Sequence, residues 1–465
     1  MALPTTIAEL RASGYTDRSV KQELSSNLAR RLGARQPMFS SIMGFSDSVL
    51  PSLQRGILAG HDIILLGERG QAKTRIIRSL VELLDDQVPF IAGCEINDHP
   101  YHPICAACRA LVGKKGDFTP IAWVGPDQRF SEKLATPDTS VADLIGDVDP
   151  IRVAEGRYLS DELTIHYGLI PRTNRGILAI NELPDLPERI QVALLNILEE
   201  RDVQIRGFKV RLPLDLVLVA SANPEDYTHR GRIISPLKDR FGTQVRTHYP
   251  EDPADEIAIM DQEAAPPDVG IPVYVPVFLK EVLAEYTSQL RRSPKINQRS
   301  GVSVRYSIGN LETLMAGALR RAVLSGETVA VPRPLELWSL LDTSMGRIEF
   351  DTMEEGRERR ILEGAMRAAI AEVFRRRLGG QDFGPWIERF DTGMTVESSD
   401  EQPAEEFLAQ FGRVPELQET LLRLGLTEES PAAAASAVEF ALEGLHLARR
   451  LNKSGTGPRA WRFGG

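Results

Sequence analysis

Ile63-Ile-Leu-Leu-Gly-Glu-Arg-Gly-Gln-Ala-Lys-Thr74 is an apolar run that stops at a glycine-bearing loop ending in Lys-Thr. The run predicts a buried strand, and the loop with the apolar stripe Ile77, Leu80, Val81 and Leu84 behind it predicts a turn into a helix packed on the sheet. Gly67 and Gly70 let the backbone curl, so that the amides of Glu68, Arg69, Gly70 and Gln71 can point inward around an anion. Lys73 can then reach the outer phosphates of a nucleotide, and the Thr74 hydroxyl can hold Mg²⁺. One position departs from the pattern G-x-x-x-x-G-K-[ST]: Ala72 stands where the last glycine is expected, and its methyl bears on how closely backbone can approach phosphate. An ordinary strand, turn and helix with a surface lysine has the same local pattern, so the rest of the chain has to decide.

Composition sets outer bounds. A chain of 465 residues has room for two to four domains of ordinary size. Its net charge of −10 argues against a general electrostatic grip on nucleic acid. No apolar segment follows Met1 and no run approaches membrane-spanning length, so the expectation is a cytoplasmic protein. Three cysteines are too few for a disulfide framework and fit a reducing compartment.

All three cysteines fall in one loop, Cys94-Glu-Ile-Asn-Asp-His99-Pro-Tyr-His102-Pro-Ile-Cys105-Ala-Ala-Cys108. Zinc takes four S or N ligands in a tetrahedron, and a C-x-x-C pair with a further Cys and His supplies them. Cys94, Cys105, Cys108 and either His99 or His102 are therefore expected to form a closed, structural Cys₃His site. Three free thiols or a redox pair are the competing readings.

A second buried strand, Gly176-Ile-Leu-Ala-Ile-Asn-Glu182, ends on an Asn-Glu pair. In an ATPase the first of such a pair helps hold Mg²⁺ and the second polarises the attacking water. Asn181 brings an amide without charge, whereas Glu182 is available as general base. The run Leu214 to Ala220 leads to Asn223, an amide at a strand tip that can orient that water. Ser235-Pro-Leu-Lys-Asp-Arg240-Phe then places an arginine at a helix end, and Gly301-Val-Ser-Val-Arg305 places another before a helix.

In this order GERGQAKT, ILAINE, VASANP, PLKDRF and GVSVR resemble the AAA+ ATPases, specifically the branch that holds the MoxR-like proteins and the magnesium chelatase ATPase subunit. The resemblance covers roughly residues 35 to 345. It implies an α/β P-loop NTPase core with a parallel sheet, a helical lid and additional C-terminal helices. It assigns Gly67 to Thr74 as Walker A, Asn181-Glu182 as Walker B and Asn223 as sensor 1. Arg240 corresponds to the arginine finger given to a neighbouring subunit, and Arg305 to the sensor 2 arginine. The segment Gly146 to Ile170 and the hairpin Val203 to Leu212, with Arg206, Lys209 and Arg211, match the two inserts that mark the branch. A finger acting in trans implies a ring, usually hexameric, binding ATP and Mg²⁺. The resemblance also implies a partner carrying a von Willebrand factor A domain, since no D-x-S-x-S run occurs in this chain.

The expected organisation is N-terminal helices over 1–34 and the α/β core over 35–250, followed by a linker at 251–276 and the lid at 277–348. A helical extension at 349–395, an acidic linker at 396–406, C-terminal helices at 407–452 and a disordered tail at 453–465 complete it. The functions to weigh are a partner-remodelling ATPase, the magnesium chelatase ATPase subunit itself, a scaffold with little turnover, and a nucleic-acid motor. Acidic charge and the lack of an evident DNA-binding domain speak against the last. The lack of a GAFTGA loop speaks against a sigma-54-type activator.

Overall fold

The apolar runs at 63–66, 177–180 and 216–220 are continuous rather than alternating, as expected of strands covered on both faces. The computed structural model describes residues 3–148, 164–200, 202–204, 211–223, 232–297, 300–351, 356–412, 417–426, 430–457 and 460–465. The chain divides into two compact units, Met1–His248 and Tyr249–Gly465.

The first unit is built on a five-stranded sheet in the order Thr243–Arg246, Ile63–Leu66, Leu216–Ala222, Gly176–Asn181, Phe130–Leu134. All four pairings are parallel. Side chains alternate between two cores as the period-2 geometry of a strand requires. Ile63, Leu65, Ile177, Ala179, Val217 and Val219 join one core with Ile76 and Ile77 of the helix Lys73–Ser79 and with the N-terminal helix Val20–Gly33. Ile64, Leu178, Ile180, Leu216, Leu218 and Ala220 join the other, against Ile190, Leu194 and Ile197 of the helix Glu188–Glu200. Each apolar run thus feeds both layers at once, which fixes the register of the sheet.

The N-terminal helices, expected as a cap on the α/β core, are part of this unit. Glu23 on the helix Val20–Gly33 is buried against Arg129, with Nη1 and Nη2 donating to its two oxygens at 2.8 and 2.6 Å. Arg129 Nε also donates to the carbonyl of Arg175 at 2.7 Å, at the base of the Gly176–Asn181 strand. Two short antiparallel pairs flank the inserts, Gly146–Val148 with Ile165–Tyr167 and Asp202–Gln204 with Arg211–Pro213. Residues 149–163 and 205–210 of those inserts, with Arg206 and Lys209, lie outside the described residues.

In the second unit one core runs from Met260 to Phe463. It takes in the helices Val277–Arg292, Val304–Ser325, Glu358–Leu378 and Pro431–Leu447. The lid, extension and C-terminal helices expected as separate pieces therefore share their apolar faces. Three stretches differ from expectation. The linker at 251–276 contains the helix Pro253–Glu263, with Asp252 as N-cap, Pro253 at its first position and Asp255 and Glu256 in its first turn. Its acidic, proline-bearing composition is that of a helix start rather than of a flexible tether. The acidic stretch at 396–406 forms the strand Val396–Ser399 and opens the helix Ala404–Phe411. The tail supplies two further strands, Asn452–Gly457 and Ala460–Gly464, giving an antiparallel sheet with Ala460–Gly464 in the middle. Alternation drives this: Phe463 is buried, while its neighbour Arg462 points outward to pair with Glu397.

Candidate nucleotide site

The three segments named by the sequence converge at the C-terminal edge of the parallel sheet, where open α/β folds bind ligands. The loop after Ile63–Leu66 is held shut from within. Gln71 Oε1 accepts from the Glu68 amide at 3.0 Å and from Thr247 Oγ1 at 2.7 Å. A Cβ on Gly67 would lie 2.0 Å from Thr247 Oγ1 and 2.2 Å from Gln71 Oε1, so only glycine fits there. Gly70 has φ +77°, and Ala72, at the missing-glycine position, is also left-handed at φ +54°. A non-glycine residue in that region costs about 1–2 kcal/mol. The loop thus keeps the glycine conformation with alanine in it.

Lys73 is buried, and its ammonium donates to the carbonyls of Gly67 and Glu68 and, at 2.6 Å, to Asn223 Oδ1. Asn223, itself buried, donates through Nδ2 to Glu182 Oε2 at 2.6 Å. Because an ammonium only donates and a carboxylate only accepts, these two neighbours orient the amide of Asn223 without ambiguity. Cation, amide and carboxylate form one relay across the tips of three strands. Glu182 has φ +55°, a second strained non-glycine residue of the kind that clusters at functional sites.

Asn181 ends its strand on the face covered by the helix Lys73–Ser79, as its parity with Ala179 requires. Its Nδ2 donates to Glu132 Oε1 at 2.5 Å, and its Oδ1 accepts from Ser221 Oγ at 3.1 Å. Ser221 Oγ accepts from the backbone N–H of Glu182 at 3.2 Å. Glu132, on the adjacent Phe130–Leu134 strand, is also gripped by Arg78 at 2.7 and 3.2 Å. Sequence reasoning missed Glu132, Ser221 and Arg78. Thr74, half-buried, is the second residue of the helix Lys73–Ser79.

Arg240 is not in this set. It stands exposed at the end of the helix Ser235–Arg240, with Nη2 2.6 Å from Glu199 Oε1. Arg305 belongs to the second unit, exposed in the first turn of the helix Val304–Ser325, its amide donating to Ser303 Oγ at 3.1 Å.

In the cysteine loop the ligand atoms of Cys94, Asp98, Cys105 and Cys108 all lie within 4.8 Å of one another. Neither histidine joins them, which corrects the Cys₃His expectation. His99 and His102 gather instead around Asp17, at 3.0 and 3.6 Å from its two oxygens. His99 Nδ1 accepts from the Tyr101 amide at 3.1 Å, which leaves the proton of the neutral ring on Nε2, facing Asp17. Burial holds the His99 imidazole down at about 4, so neutral is its ordinary state. Its ring is a hydrogen-bonded packing element between Tyr15 and Tyr101.

Fold and site together are those of an α/β P-loop core of the AAA+ type. The relatives of this chain include magnesium chelatase subunits. It is 28% identical over 243 residues to the magnesium-chelatase 38 kDa subunit of Cereibacter sphaeroides, an alignment that takes in 49% of this chain and 63% of that one. It is 28% identical over 206 residues to the subunit ChlI of Anabaena variabilis, across 43% and 57% of the two chains. The chain thus spans about three-fifths of the length of these relatives. A family model described as the Sigma-54 interaction domain matches residues 155–240, the stretch that carries Glu182, Asn223 and Arg240. Among solved structures, subunits BchI and BchD of magnesium chelatase in complex give a match with 22% identity and a TM-score of 0.36, over 71% of this chain and 98% of that one. Among the described residues no helix is long and apolar enough to cross a membrane.

Proposed function

We propose that this chain hydrolyses ATP in a ring of its own copies and uses the stroke to remodel a partner protein. The observation that carries the reading is the relay from Lys73 through Asn223 to Glu182. The Lys73 ammonium, now satisfied by two carbonyls and an amide, is placed to exchange them for phosphate oxygens when nucleotide binds. Glu182 takes a proton from water as the water oxygen bonds to the γ-phosphorus and the bond to the β–γ bridging oxygen breaks. Asn223 holds that carboxylate in line. Thr74 and Asn181 are the residues of this chain that would hold Mg²⁺, which would supply screening of the phosphate charge. The exposed Arg240 is assigned to the site of the next subunit and Arg305 to the γ-phosphate from the lid.

A hexameric ring and a partner with a von Willebrand factor A domain follow from the resemblance to AAA+ ATPases, and a cytoplasmic location goes with this reading. Porphyrin metallation is the second form of this reading, favoured by the names of the relatives. The test is steady-state ATP hydrolysis across protein concentration, for the unaltered chain and for Glu182→Gln. A rate per chain that climbs with concentration and collapses in the variant is expected. ATP bound without turnover would replace the motor by a nucleotide-dependent scaffold, the outcome to which strain at Ala72 and the committed amide of Asn181 would then be ascribed. Addition of protoporphyrin, Mg²⁺ and the partner chelatase subunits separates a chelatase from a general remodelling ATPase.

A further inference from the structure

We propose that Cys94, Asp98, Cys105 and Cys108 form a closed Cys₃Asp centre for one Zn²⁺, with a structural role separate from the nucleotide site. Three independent observations converge on it.

Geometry is the first. A tetrahedral zinc with Zn–S near 2.3 Å needs sulfurs about 3.8 Å apart, and the four ligand atoms here already lie within 4.8 Å of one another. A contraction of no more than about 1 Å between sulfurs, and slightly more toward the shorter-bonded carboxylate oxygen, closes the shell.

The second is an orphaned atom. Asp98 is fully buried, and its Oδ2 accepts from the amides of Ile104 and Cys105 at 3.2 and 3.0 Å. Its Oδ1 is buried with no hydrogen-bond partner. A lone buried carboxylate oxygen costs about 1–3 kcal/mol or more unless something binds it, and an ion is among the few explanations for such an atom.

The third is the setting of the sulfurs. Cys94 Sγ accepts from the Asp98 amide at 3.4 Å and Cys105 Sγ from the Cys108 amide at 3.3 Å. Such N–H···S bonds stabilise thiolate ligands and fix their direction, as outer-shell partners do at metal sites. None of the three cysteines is in a disulfide. Three thiolates and a carboxylate suit zinc, and four protein ligands leave no open position for catalysis.

What the centre holds is the loop from the strand Val88–Ile91 to the helix Ala106–Lys115. That loop is tied to the start of the catalytic strand. Asn174 Nδ2 donates to the Ile96 carbonyl at 3.0 Å, and Arg175 Nη1 to the Pro89 carbonyl at 2.5 Å. Zinc therefore braces the N-terminal end of Gly176–Asn181, opposite the end that bears Glu182.

The full chain, purified without chelator or metal-affinity resin, is expected to carry about one zinc per chain by elemental analysis. Replacement with Co²⁺ is expected to give the intense visible bands of tetrahedral cobalt and a thiolate charge-transfer band in the near ultraviolet. His99→Ala and His102→Ala retain both signals, whereas Asp98→Ala and Cys108→Ser lose the stoichiometry and Asp98→Cys restores it. If the Asp98 and Cys108 variants fail to fold, the wild-type zinc content, the cobalt spectrum and the two histidine variants decide. Zinc absent from the wild type, with no cobalt spectrum on reconstitution, overturns the proposal. So does a metal that depends on His99 or His102.

Discussion

Replacing Asn223 by alanine tests the central relay more sharply than removing either of its charged ends. Asn223 makes one bond to the Lys73 ammonium and one to the Glu182 carboxylate, both at 2.6 Å and both with a charged partner. Bonds of that type contribute about 1.5–3 kcal/mol each. If the bond to Glu182 serves to hold the general base in line, its loss appears in the barrier. At 1.36 kcal/mol per decade, turnover is then expected to fall roughly 10- to 150-fold. The bond to Lys73 is lost in the same variant, but nucleotide replaces it, so its loss shows in ATP affinity rather than in turnover. Two assays separate them: steady-state turnover at saturating ATP, and the dissociation constant of a fluorescent ATP analogue. The decisive comparison is a double-mutant cycle with Glu182→Ala. Residues that act as a unit are strongly non-additive, so Asn223→Ala should cost almost nothing further in turnover once Glu182 is gone. Losses that multiply would show that Asn223 acts independently of Glu182, and the relay would have to be abandoned.

Other consequences follow from single contacts. Gly67→Ala drives a methyl into Thr247 and Gln71 and should cost about 1–3 kcal/mol, lowering the melting temperature of the first unit by roughly 2–12 °C; adding Thr247→Ala should recover part of it, and no recovery would place the strain elsewhere. Arg129→Met strands the buried Glu23 and should cost about 3–5 kcal/mol in denaturant unfolding, while Arg129→Met with Glu23→Leu should cost far less. Asn181→Asp, which restores the usual acidic residue, sets a carboxylate against Glu132 and is expected to lower thermal stability. Combined with Glu132→Gln it keeps the hydrogen bond with its polarity reversed, and should bind nucleotide at lower Mg²⁺ than the unaltered chain. A stable Asn181→Asp single variant would count against this.

Legibility followed the range of the physics. Continuous apolar runs signalled doubly covered strands, and the polar residues at their ends led to Lys73, Glu182 and Asn223, because each lies within a few residues of the strand that aims it. The cysteine loop was legible as a cluster but not in its ligands: spacing favours histidine, whereas folding turned His99 toward Asp17 and Asp98 inward. The 453–465 tail was misread because glycine and arginine suggest disorder, while the alternation that buries Phe463 is only a few residues long and acts through pairing with Val396–Ser399. Glu132 could not be found at all, since its partner Asn181 is 49 residues away in the chain and the contact exists only through strand pairing.

That contact explains how Glu182, the proposed general base, is held. The Arg78–Glu132 ion pair has an exposed arginine and by itself contributes about 0–1 kcal/mol. Its effect is directional: it aims Glu132 Oε1 at Asn181 Nδ2, which turns Asn181 Oδ1 toward the Ser221 hydroxyl. With its proton committed to Asn181, Ser221 Oγ has a lone pair for the backbone N–H of Glu182. Glu182 sits at φ +55°, where a non-glycine residue costs about 1–3 kcal/mol and persists only if its surroundings hold it. The Ser221 bond at its backbone and the Asn223 bond at its carboxylate together fix both ends of that residue. An aspartate at 181 would add charge for Mg²⁺ but has no N–H to give Glu132, and so would loosen the strained turn that carries the base. Asn181 and Glu132 are therefore best understood as one unit, in which the negative charge absent from the end of one strand stands on the next.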